Sequence, residues 1–380
     1  MKRSAVLFLI LAGGCSGLKL ADPLKIDAGD WPQFGKNTSR INATSEAVVP
    51  PLTLAWEHDI TSAMGYGSPV VIDSVVIVTN MRGELYGINA RTGKRFGWVS
   101  IGDAVNGSPV VDQNTAYVAL ANTRESLAAF DLFEGRMTWK QDFGDLEASP
   151  LLFGNNLYVG NTAGLFYCVE RAKGEMQWKF KLPENSSRKG IRSTATTSDS
   201  LVIFGAEDGS IYALDAQYGT ERWSYNAGAP IFAAPAVNNG VVFCGSSTGI
   251  LYALNAKTGS LLWKYDAGTS IYATPSFSEN LVLIGTTGGT LHAVHASNGS
   301  VFWKREFNSV INSSAVVSGS VAYVGTLKKE FAAVSLKDGT VMWADTLRGR
   351  IKTSPAIADG KVFIATDDKL ILAFKSAETK

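Results

Sequence analysis

The sequence predicts an all-β protein, an eight-bladed β-propeller built from four-stranded antiparallel blades. Three observations predict it. A Gly-x-x-x-Trp unit recurs along the 380-residue chain with a period near 40, four short β-type runs fill each period, and no segment is long and amphipathic at helical spacing. A WD40-like propeller has this period and strand count, whereas a helical solenoid does not.

The repeat is regular enough to be counted. The tryptophans from Trp98 onward are separated by 41, 39, 45, 40, 40 and 40 residues. Turn-forming residues such as Asn238-Asn239-Gly240 separate the β-type runs. The units are Gly135–Trp139, Gly174–Trp178, Gly219–Trp223, Gly259–Trp263, Gly299–Trp303 and Gly339–Trp343, with Gly93–Trp98 one residue longer.

The number of blades follows from how the two ends of the array fit together. Seven repeats are complete, and an eighth ends after Leu370–Phe374 without an outer strand. The run Leu52–Trp56 has the form of an outer strand and lies 42 residues before Trp98. We therefore predict seven whole blades and one that an N-terminal strand completes, which leaves no unpaired ring junction.

Composition and charge exclude several classes of protein. Hydrophobic residues make up 46% of the chain and charged residues 18%, which is typical of a globular protein with a large core. The 35 basic and 34 acidic side chains nearly cancel, so nucleic-acid binding through general electrostatic attraction is not expected.

The first residues have the order of a secretory signal. Lys2-Arg3 precede the apolar run Ala5–Ala12, which is too short to span a bilayer, and Gly13-Gly14-Cys15 follows. Small residues before a cysteine resemble a bacterial lipobox, although Ala12 stands where that motif usually has leucine. The resemblance implies acylation of Cys15, and Ser16 after it implies an outer-membrane destination. An ordinary cleaved signal with an incidental cysteine is the alternative.

The expected organisation is a signal peptide with its lipobox over residues 1–15, a flexible tether over 16–30 and the propeller over 31–376. Cys168 and Cys244 lie inside apolar strand patterns of different repeats. We expect them to be buried free thiols, with a disulfide as the alternative. Without a Cys/His cluster, and with His292 and His295 on opposite faces of one strand, no metal site is predicted.

The repeated tryptophans also carry a family resemblance. Ala213-x-Asp215-x-x-x-Gly219-Thr220-Glu221-x-Trp223 resembles the docking motif of PQQ-like, quinoprotein-type propellers, and Trp31–Lys36 is similar to the segment before their first blade. The resemblance assigns the tryptophans to blade packing rather than ligand binding. These residues are Trp56, Trp98, Trp139, Trp178, Trp223, Trp263, Trp303 and Trp343.

Quinoprotein enzymes hold pyrroloquinoline quinone and calcium over the propeller axis. The residue two positions before a repeated Ser, Thr or Ala gives one aligned position per blade, and we predict that these residues form a ring at the channel mouth. The ring has one carboxylate and two cations, an unsuitable balance for calcium. Its members are Tyr66, Asn106, Glu147, Arg192, Phe232, Tyr272, Asn312 and Lys352.

Two interpretations of this ring remain open. It is either a hydrated polar mouth or a site for a small ligand or anion that uses Arg192 and Lys352 beside the aromatic members. No catalytic residue and no cofactor are predicted, and PQQ with calcium enters only under the alternative of a PQQ-dependent dehydrogenase.

A lipobox followed by an eight-bladed propeller resembles the BamB family of accessory lipoproteins in outer-membrane β-barrel assembly. The family implies a loop before the fourth repeat that binds periplasmic domains of the assembly protein. Here that loop is Pro183–Arg192, the longest insertion, in which Arg188, Lys189 and Arg192 are candidate contacts, although the family's leucines are missing.

The sequence therefore predicts a non-catalytic scaffold, lipid-anchored on the periplasmic face of the bacterial outer membrane and monomeric within a complex. Its expected partners are periplasmic domains of an outer-membrane assembly protein. A quinoprotein-related enzyme or a ligand-binding propeller that uses the central channel is the alternative.

Overall fold

Each repeat folds into one antiparallel sheet, and eight such sheets surround a central channel. The computed structural model describes residues 17–184, 186 and 189–377, so Cys15 lies outside the described residues. No helix in these ranges is long and apolar enough to cross a membrane. The two strands that precede the blades are β1 (Ala43–Thr44) and β2 (Leu52–Asp59).

The strands of a blade follow one another from the channel outward. Blades 1 to 4 comprise β3 (Val70–Ile72), β4 (Val75–Thr79), β5 (Glu84–Asn89), β6 (Arg95–Ser100); β7 (Val110–Asp112), β8 (Thr115–Ala119), β9 (Leu127–Asp131), β10 (Arg136–Gln141); β11 (Leu151–Phe153), β12 (Asn156–Gly160), β13 (Leu165–Glu170), β14 (Met176–Lys181); and β15 (Thr196–Ser198), β16 (Leu201–Gly205), β17 (Ser210–Asp215), β18 (Glu221–Asn226).

Blades 5 to 8 repeat this order. They comprise β19 (Ala236–Asn238), β20 (Val241–Gly245), β21 (Ile250–Asn255), β22 (Leu261–Asp266); β23 (Ser276–Ser278), β24 (Leu281–Gly285), β25 (Thr290–His295), β26 (Val301–Glu306); β27 (Val316–Ser318), β28 (Val321–Gly325), β29 (Glu330–Ser335), β30 (Val341–Thr346); and β31 (Ala356–Ala358), β32 (Lys361–Thr366), β33 (Leu370–Ser376).

The N-terminal strand closes the ring, which confirms the predicted architecture. β2 pairs antiparallel with β33, with Leu54 opposite Phe374 and Trp56 opposite Ala373. The sheet order of blade 8 is therefore β2-β33-β32-β31, and β31 lies against β3 of blade 1. The two ends of the array thus belong to one sheet, and β33 has a partner on each side.

The repeated tryptophan fastens one blade to the next. For six of the eight tryptophans, the indole N–H donates a hydrogen bond to a carbonyl of the following blade, and the ring lies against the glycine of that blade's Gly-x-x-x-Trp unit. A shared bond of this kind removes both polar groups from solvent without leaving them unpaired. The bonds are Trp56 to Ala90 (2.8 Å), Trp139 to Arg171 (2.9 Å), Trp178 to Ala216 (3.2 Å), Trp223 to Ala256 (2.9 Å), Trp263 to Ala296 (3.0 Å) and Trp303 to Leu336 (2.8 Å).

The other two tryptophans differ. Trp343 packs against Phe331 and against Phe374 of blade 8, with no indole bond of this kind among the described residues. Trp98 does not dock on the next blade, contrary to the sequence-based expectation. In blade 4, Ala213 pairs with Trp223, whereas at the same register in blade 1, Gly87 pairs with Gly97. The extra residue moves Trp98 by one position, and successive strand residues face opposite sides of the sheet. Trp98 therefore stacks on Tyr86, with ring centroids 6.1 Å apart, and packs with the core shared by blades 7, 8 and 1.

Residues 17–30 also differ from the flexible tether that the sequence predicts. Leu18 and Leu20 are 0% and 4% exposed and belong to the core shared by blades 1 and 2. Further along, the Leu24 N–H donates to Asn114 Oδ1 at 2.7 Å. The segment lacks a strand period because it packs through two buried leucines and separate hydrogen bonds rather than through a ladder.

The segment from Trp31 to Val48 winds around the channel axis on the inner strands. Its carbonyl groups accept hydrogen bonds from one equivalent amide in each of blades 1, 2, 4, 5, 6 and 7, and β1 pairs parallel with β27. Arg40, at 0% exposure, donates to the carbonyl oxygens of Phe34 and Ala195 and to Gln33 Oε1. Burial lowers the pKa of Arg40 to about 9, so the guanidinium stays charged at neutral pH.

A belt of hydroxyl groups links neighbouring blades just before the start of the inner strands. The backbone N–H of the repeated Ser or Thr donates to the hydroxyl of its counterpart in the next blade. Ala234 has no hydroxyl, so the belt is interrupted at blade 5, and among the described residues no bond of this kind joins blade 8 to blade 1. The bonds are Ser68 to Ser108 (2.6 Å), Ser108 to Ser149 (2.8 Å), Ser149 to Thr194 (3.2 Å), Thr274 to Ser314 (3.0 Å) and Ser314 to Ser354 (3.0 Å).

Cys168 and Cys244 are buried free thiols in blades 3 and 5. Burial raises the pKa of Cys168 to about 12 and also raises that of Cys244. Both side chains therefore stay protonated at neutral pH and act as small apolar core residues.

Candidate functional site at the channel mouth

The central channel contains a cavity of about 450 Å³ between the hydroxyl belt and the N-terminal segment. Phe34 of that segment lines it, together with belt residues Ser149, Thr194, Thr274, Ser314 and Ser354. Seven of the eight aligned ring positions also line this cavity, namely Tyr66, Asn106, Glu147, Arg192, Phe232, Tyr272 and Asn312.

Two of the three aromatic ring residues are neighbours on the cavity wall. Phe232 and Tyr272 are in contact, with ring centroids 5.6 Å apart and an interplanar angle of 47°. Tyr66, from blade 1, is 65% exposed. Asn312 Oδ1 is buried and has no hydrogen-bond partner among the described residues. This wall therefore offers apolar surface together with one unsatisfied acceptor.

Arg192 is neutralised by two carboxylates. Its Nε donates to Glu147 Oε2 at 2.7 Å, and its Nη1 pairs with Glu207 Oε1. The two glutamates and one arginine leave this part of the wall with a net charge of −1. Arg192 is consequently not a free cation for an anionic ligand, which argues against the anion-site interpretation of the ring.

Lys352 is the ring position that does not line the cavity. Its ammonium group lies 3.6 Å from Asp367 Oδ2, and the same carboxylate accepts a hydrogen bond of 2.5 Å from Arg350 Nε. Burial disfavours the charged form of Asp367, but the hydrogen bonds from Arg350 outweigh this, so its pKa lies below the usual value.

Sequence reasoning missed Glu207, although a signal was present. Glu207 lies fifteen residues after Arg192, and Asp367 lies fifteen residues after Lys352. Both acids occupy the same turn of their blades, where each amide bonds to a carbonyl of the loop before the inner strand. In both blades that have a cation at the ring position, a carboxylate therefore follows fifteen residues later, in the turn after the second strand.

The proposed partner-binding loop is described only in part. Arg188 lies outside the described residues, Lys189 is exposed, and Arg192 is turned into the cavity wall. Of the three candidate contacts, the described part of the chain therefore leaves Lys189 available to a partner.

The comparison with protein families bears directly on this propeller. The PQQ_2 family model, described as outer membrane protein assembly factor BamB, matches residues 52–180, 169–310 and 304–380. The chain belongs to the PQQ_2 family. The matched ranges run from the closing strand to the C-terminus and so include every blade.

Individual PQQ_2-type relatives are distant. The outer membrane protein assembly factor BamB of Escherichia coli (strain K12) is 25% identical over 173 residues, which is 42% of each chain. The quinohemoprotein alcohol dehydrogenase of Comamonas testosteroni is 25% identical over 190 residues, 42% of this chain and 27% of the enzyme. The chain thus spans less than half the length of these relatives.

The structural comparison supports the same fold. The crystal structure of BamB from Moraxella catarrhalis superposes with a TM-score of 0.72 at 18% identity, covering 85% of this chain and 99% of that one. At this identity the likeness shows that this chain and BamB share a fold. Any activity has to be argued from the residues of the site.

The residues of this PQQ_2 propeller do not fit a quinone–calcium centre. Calcium takes six to eight oxygen ligands, including carboxylates, but Glu147 and Glu207 are both held by Arg192. No group of three or more His, Cys, Asp or Glu side chains within residues 17–184, 186 and 189–377 has metal-site geometry. His292 and His295 face apart, towards Tyr265 and Phe302 respectively.

Proposed function

We propose that this chain is a non-catalytic scaffold that binds protein partners during the assembly of β-barrel proteins in the bacterial outer membrane. The observation that carries the proposal is the match to the BamB-described family model across residues 52–380. The closed ring supports it, because a rigid disc presents loops and edges in fixed positions to other proteins.

The proposal includes a membrane anchor and a place in the cell. Acylation of Cys15 would attach the chain to the periplasmic face of the outer membrane, where it would act as a monomer within a complex. The partners proposed are periplasmic domains of a membrane-embedded assembly protein.

The charges at the channel mouth support a role without catalysis. Glu147 lines the cavity, and Arg192 binds both this carboxylate and that of Glu207. A general base needs a carboxylate or imidazole free to accept a proton from a substrate, and these groups are already paired. We propose on this ground that the protein has no cofactor of its own.

Purification of the tagged lipoprotein from its native membrane in mild detergent tests the scaffold role. The expected result is stoichiometric recovery of a large outer-membrane β-barrel protein with periplasmic domains. Lys189→Glu is expected to weaken this complex roughly tenfold, because it reverses an exposed charge in the partner loop. Lys173→Glu, which reverses an exposed charge in the outer turn of blade 3, is the matched control.

Mass spectrometry of the same preparation tests the alternative. A bound quinone or calcium ion without a stoichiometric protein partner would contradict the scaffold role. Equal recovery of the partner with the Lys189 and Lys173 variants would retain the scaffold but exclude this loop as its contact.

A second candidate function is the binding of a small neutral or aromatic ligand in the channel. The observation that favours it is the contact pair Phe232–Tyr272 beside the unpaired Asn312 Oδ1. Native mass spectrometry of the purified protein and of Tyr272→Ala is the test. A small molecule that is retained by the wild type and lost from the variant would establish the site.

A further inference from the structure

The junction between blades 1 and 2, termed the seam, is closed by the N-terminal residues Gly17–Leu20, termed the docked segment. Gly97 of β6 takes the register position that a docking tryptophan takes elsewhere. A Cβ at Gly97 would lie 2.4 Å from the Gly17 carbonyl oxygen, and one at Gly87 would lie 2.7 Å from Leu18 Cδ1. The missing indole therefore leaves the space that the docked segment fills.

The docked segment also takes over the hydrogen bond of the missing tryptophan. In other blades the carbonyl three residues before the repeated glycine accepts the indole N–H. At the seam the equivalent carbonyl belongs to Leu132, and it accepts the Leu20 N–H at 2.8 Å. The segment thus replaces both the ring and the bond of a docking residue, and it is fixed to the rim of the disc.

This attachment determines where an acyl anchor would leave the disc. Two peptide units separate Cys15 from Gly17. Covalent geometry therefore limits the distance between the Cα atoms of these two residues to about 7 Å. A free tether of about 15 residues would instead hold the disc about 20 Å away with no preferred orientation. If Cys15 is acylated, as the proposed function requires, the seam lies next to the bilayer.

The surface around the seam is basic and partly apolar. Phe96 is 47% exposed, and four exposed cations lie in the docked segment, at the start of β6 and at the start of β10, where the exposed Glu134 precedes Arg136. None of the four forms an ion pair with another described residue. They are Lys19, Lys94, Arg95 and Arg136. Basic side chains beside an aromatic residue are suited to the headgroup region of a membrane that contains anionic lipid.

We propose that the rim of blades 1 and 2 is a membrane-contact surface for anionic phospholipid headgroups, and that the docked segment holds the disc edge-on to the bilayer. The inference rests on the proposed acylation of Cys15 and adds to it an orientation and a lipid-binding edge. Blade 5, on the far side of the ring, then points away from the membrane.

Fluorescence quenching in vesicles tests the orientation. The acylated full-length chain is reconstituted into vesicles of phosphatidylethanolamine and phosphatidylglycerol that carry a headgroup quencher. A label is attached at Thr138→Cys or at Leu262→Cys, two exposed positions that precede a docking tryptophan in blades 2 and 5. The native thiols are buried and stay unlabelled. Severalfold stronger quenching at position 138 is expected, and equal quenching would overturn the proposal.

Two variants connect the orientation to the docked segment. Gly97→Ala forces a Cβ against the Gly17 carbonyl, in a register position that accepts tryptophan in other blades, so the fold should persist while the segment is displaced. Leu18→Ser weakens the same docking by a different route. Both are expected to equalise the two labels. Ile26→Ser, at an exposed position of the same N-terminal stretch, is expected to keep them different.

The lipid contribution is measured in the same system. Replacement of phosphatidylglycerol by phosphatidylcholine, or the double change Arg95→Gln and Arg136→Gln, is expected to reduce the difference between the labels. If the difference in quenching between the two labels is the same after both changes, the proposed headgroup contact is overturned. Absence of acylation, detected by intact-mass measurement, would contradict the proposed anchor, whereas an acylated, vesicle-bound disc with equal quenching would contradict only the orientation.

Discussion

At the scale of single residues, burial fixes the protonation state of His292. This side chain is 3% exposed in β25, its Nδ1 lies 2.9 Å from the Tyr265 hydroxyl, and its Nε2 is buried without a partner among the described residues. Burial, with a smaller effect of the nearby Lys304, lowers the pKa of His292 to about 4. The imidazole is therefore neutral in the folded protein at any ordinary pH.

We predict that the protein loses stability as the pH falls from about 6.5 towards 4. In this window the unfolded chain binds a proton at His292 and the folded chain does not, so the free energy of unfolding falls by on the order of 3 kcal/mol. Urea unfolding at pH 7.5 and pH 5 measures the part of this loss that is complete by pH 5, about 2 kcal/mol. His292→Gln is expected to reduce the loss, but not remove it, because burial also lowers the pKa of His58.

His295→Gln is the matched control for this prediction. It changes a histidine on the other face of the same strand, packed against Phe302, and is expected to keep the wild-type pH dependence. An unchanged pH dependence in the His292 variant would show that the buried imidazole does not control acid stability.

At the scale of elements, a small variation in the outer strand of a blade changes how that blade contacts the next one. Trp303 on β26 donates to the Leu336 carbonyl at 2.8 Å, whereas Trp98 on β6 stacks on Tyr86 within its own blade. One additional residue in the turn before β6 produces this difference by reversing the face on which the tryptophan lies.

We predict that Trp303→Phe is more destabilising than Trp98→Phe. The first change leaves the Leu336 carbonyl without its donor at a buried junction and is expected to cost about 1–3 kcal/mol. The second keeps an aromatic ring on Tyr86 and is expected to cost less than about 1 kcal/mol. Guanidinium unfolding midpoints of the two variants make the comparison, and equal losses would contradict the assigned roles.

The sequence was sufficient to predict the architecture. It was not sufficient to predict contacts made by residues outside the repeat pattern. The four β-type runs of each repeat and the 40-residue period predicted every blade and the closing role of β2. The longer Gly93–Trp98 spacing was visible, but its consequence depended on strand register. Leu18 and Leu20 gave no signal, because their burial depends on a space left by Gly97, distant in sequence. Aligned positions brought seven ring residues together, while the pairing of Lys352 with Asp367 needed three-dimensional information.

At the scale of the whole molecule, two features hold the ring together from different sides. β2 completes blade 8 at the rim, and the segment before it joins the inner strands at the axis. The segment Trp31–Val48, termed the axial segment, accepts hydrogen bonds from the second residue of six inner strands. It therefore connects blades that otherwise contact only their neighbours. These amides belong to Val71, Val111, Thr197, Val237, Phe277 and Val317.

We predict that a chain beginning at Pro50, which keeps β2 and lacks the axial segment, loses protection at these amides. Hydrogen exchange followed by mass spectrometry is expected to show fast exchange in β3, β7, β15, β19, β23 and β27 and little change in the outer strands. A chain that begins at Asp30 keeps the axial segment and serves as control. Uniform loss of protection in all strands of the shorter chain would instead show that the segment is required for the whole fold.

Phe34 connects the cavity to the segment that joins the blades. This residue lines the cavity, and the segment that carries it accepts hydrogen bonds from the inner strands of six blades. Part of the cavity wall is therefore supplied by a stretch of chain outside the repeats. A change that loosens this stretch would alter the shape of the cavity as well as the contacts between blades.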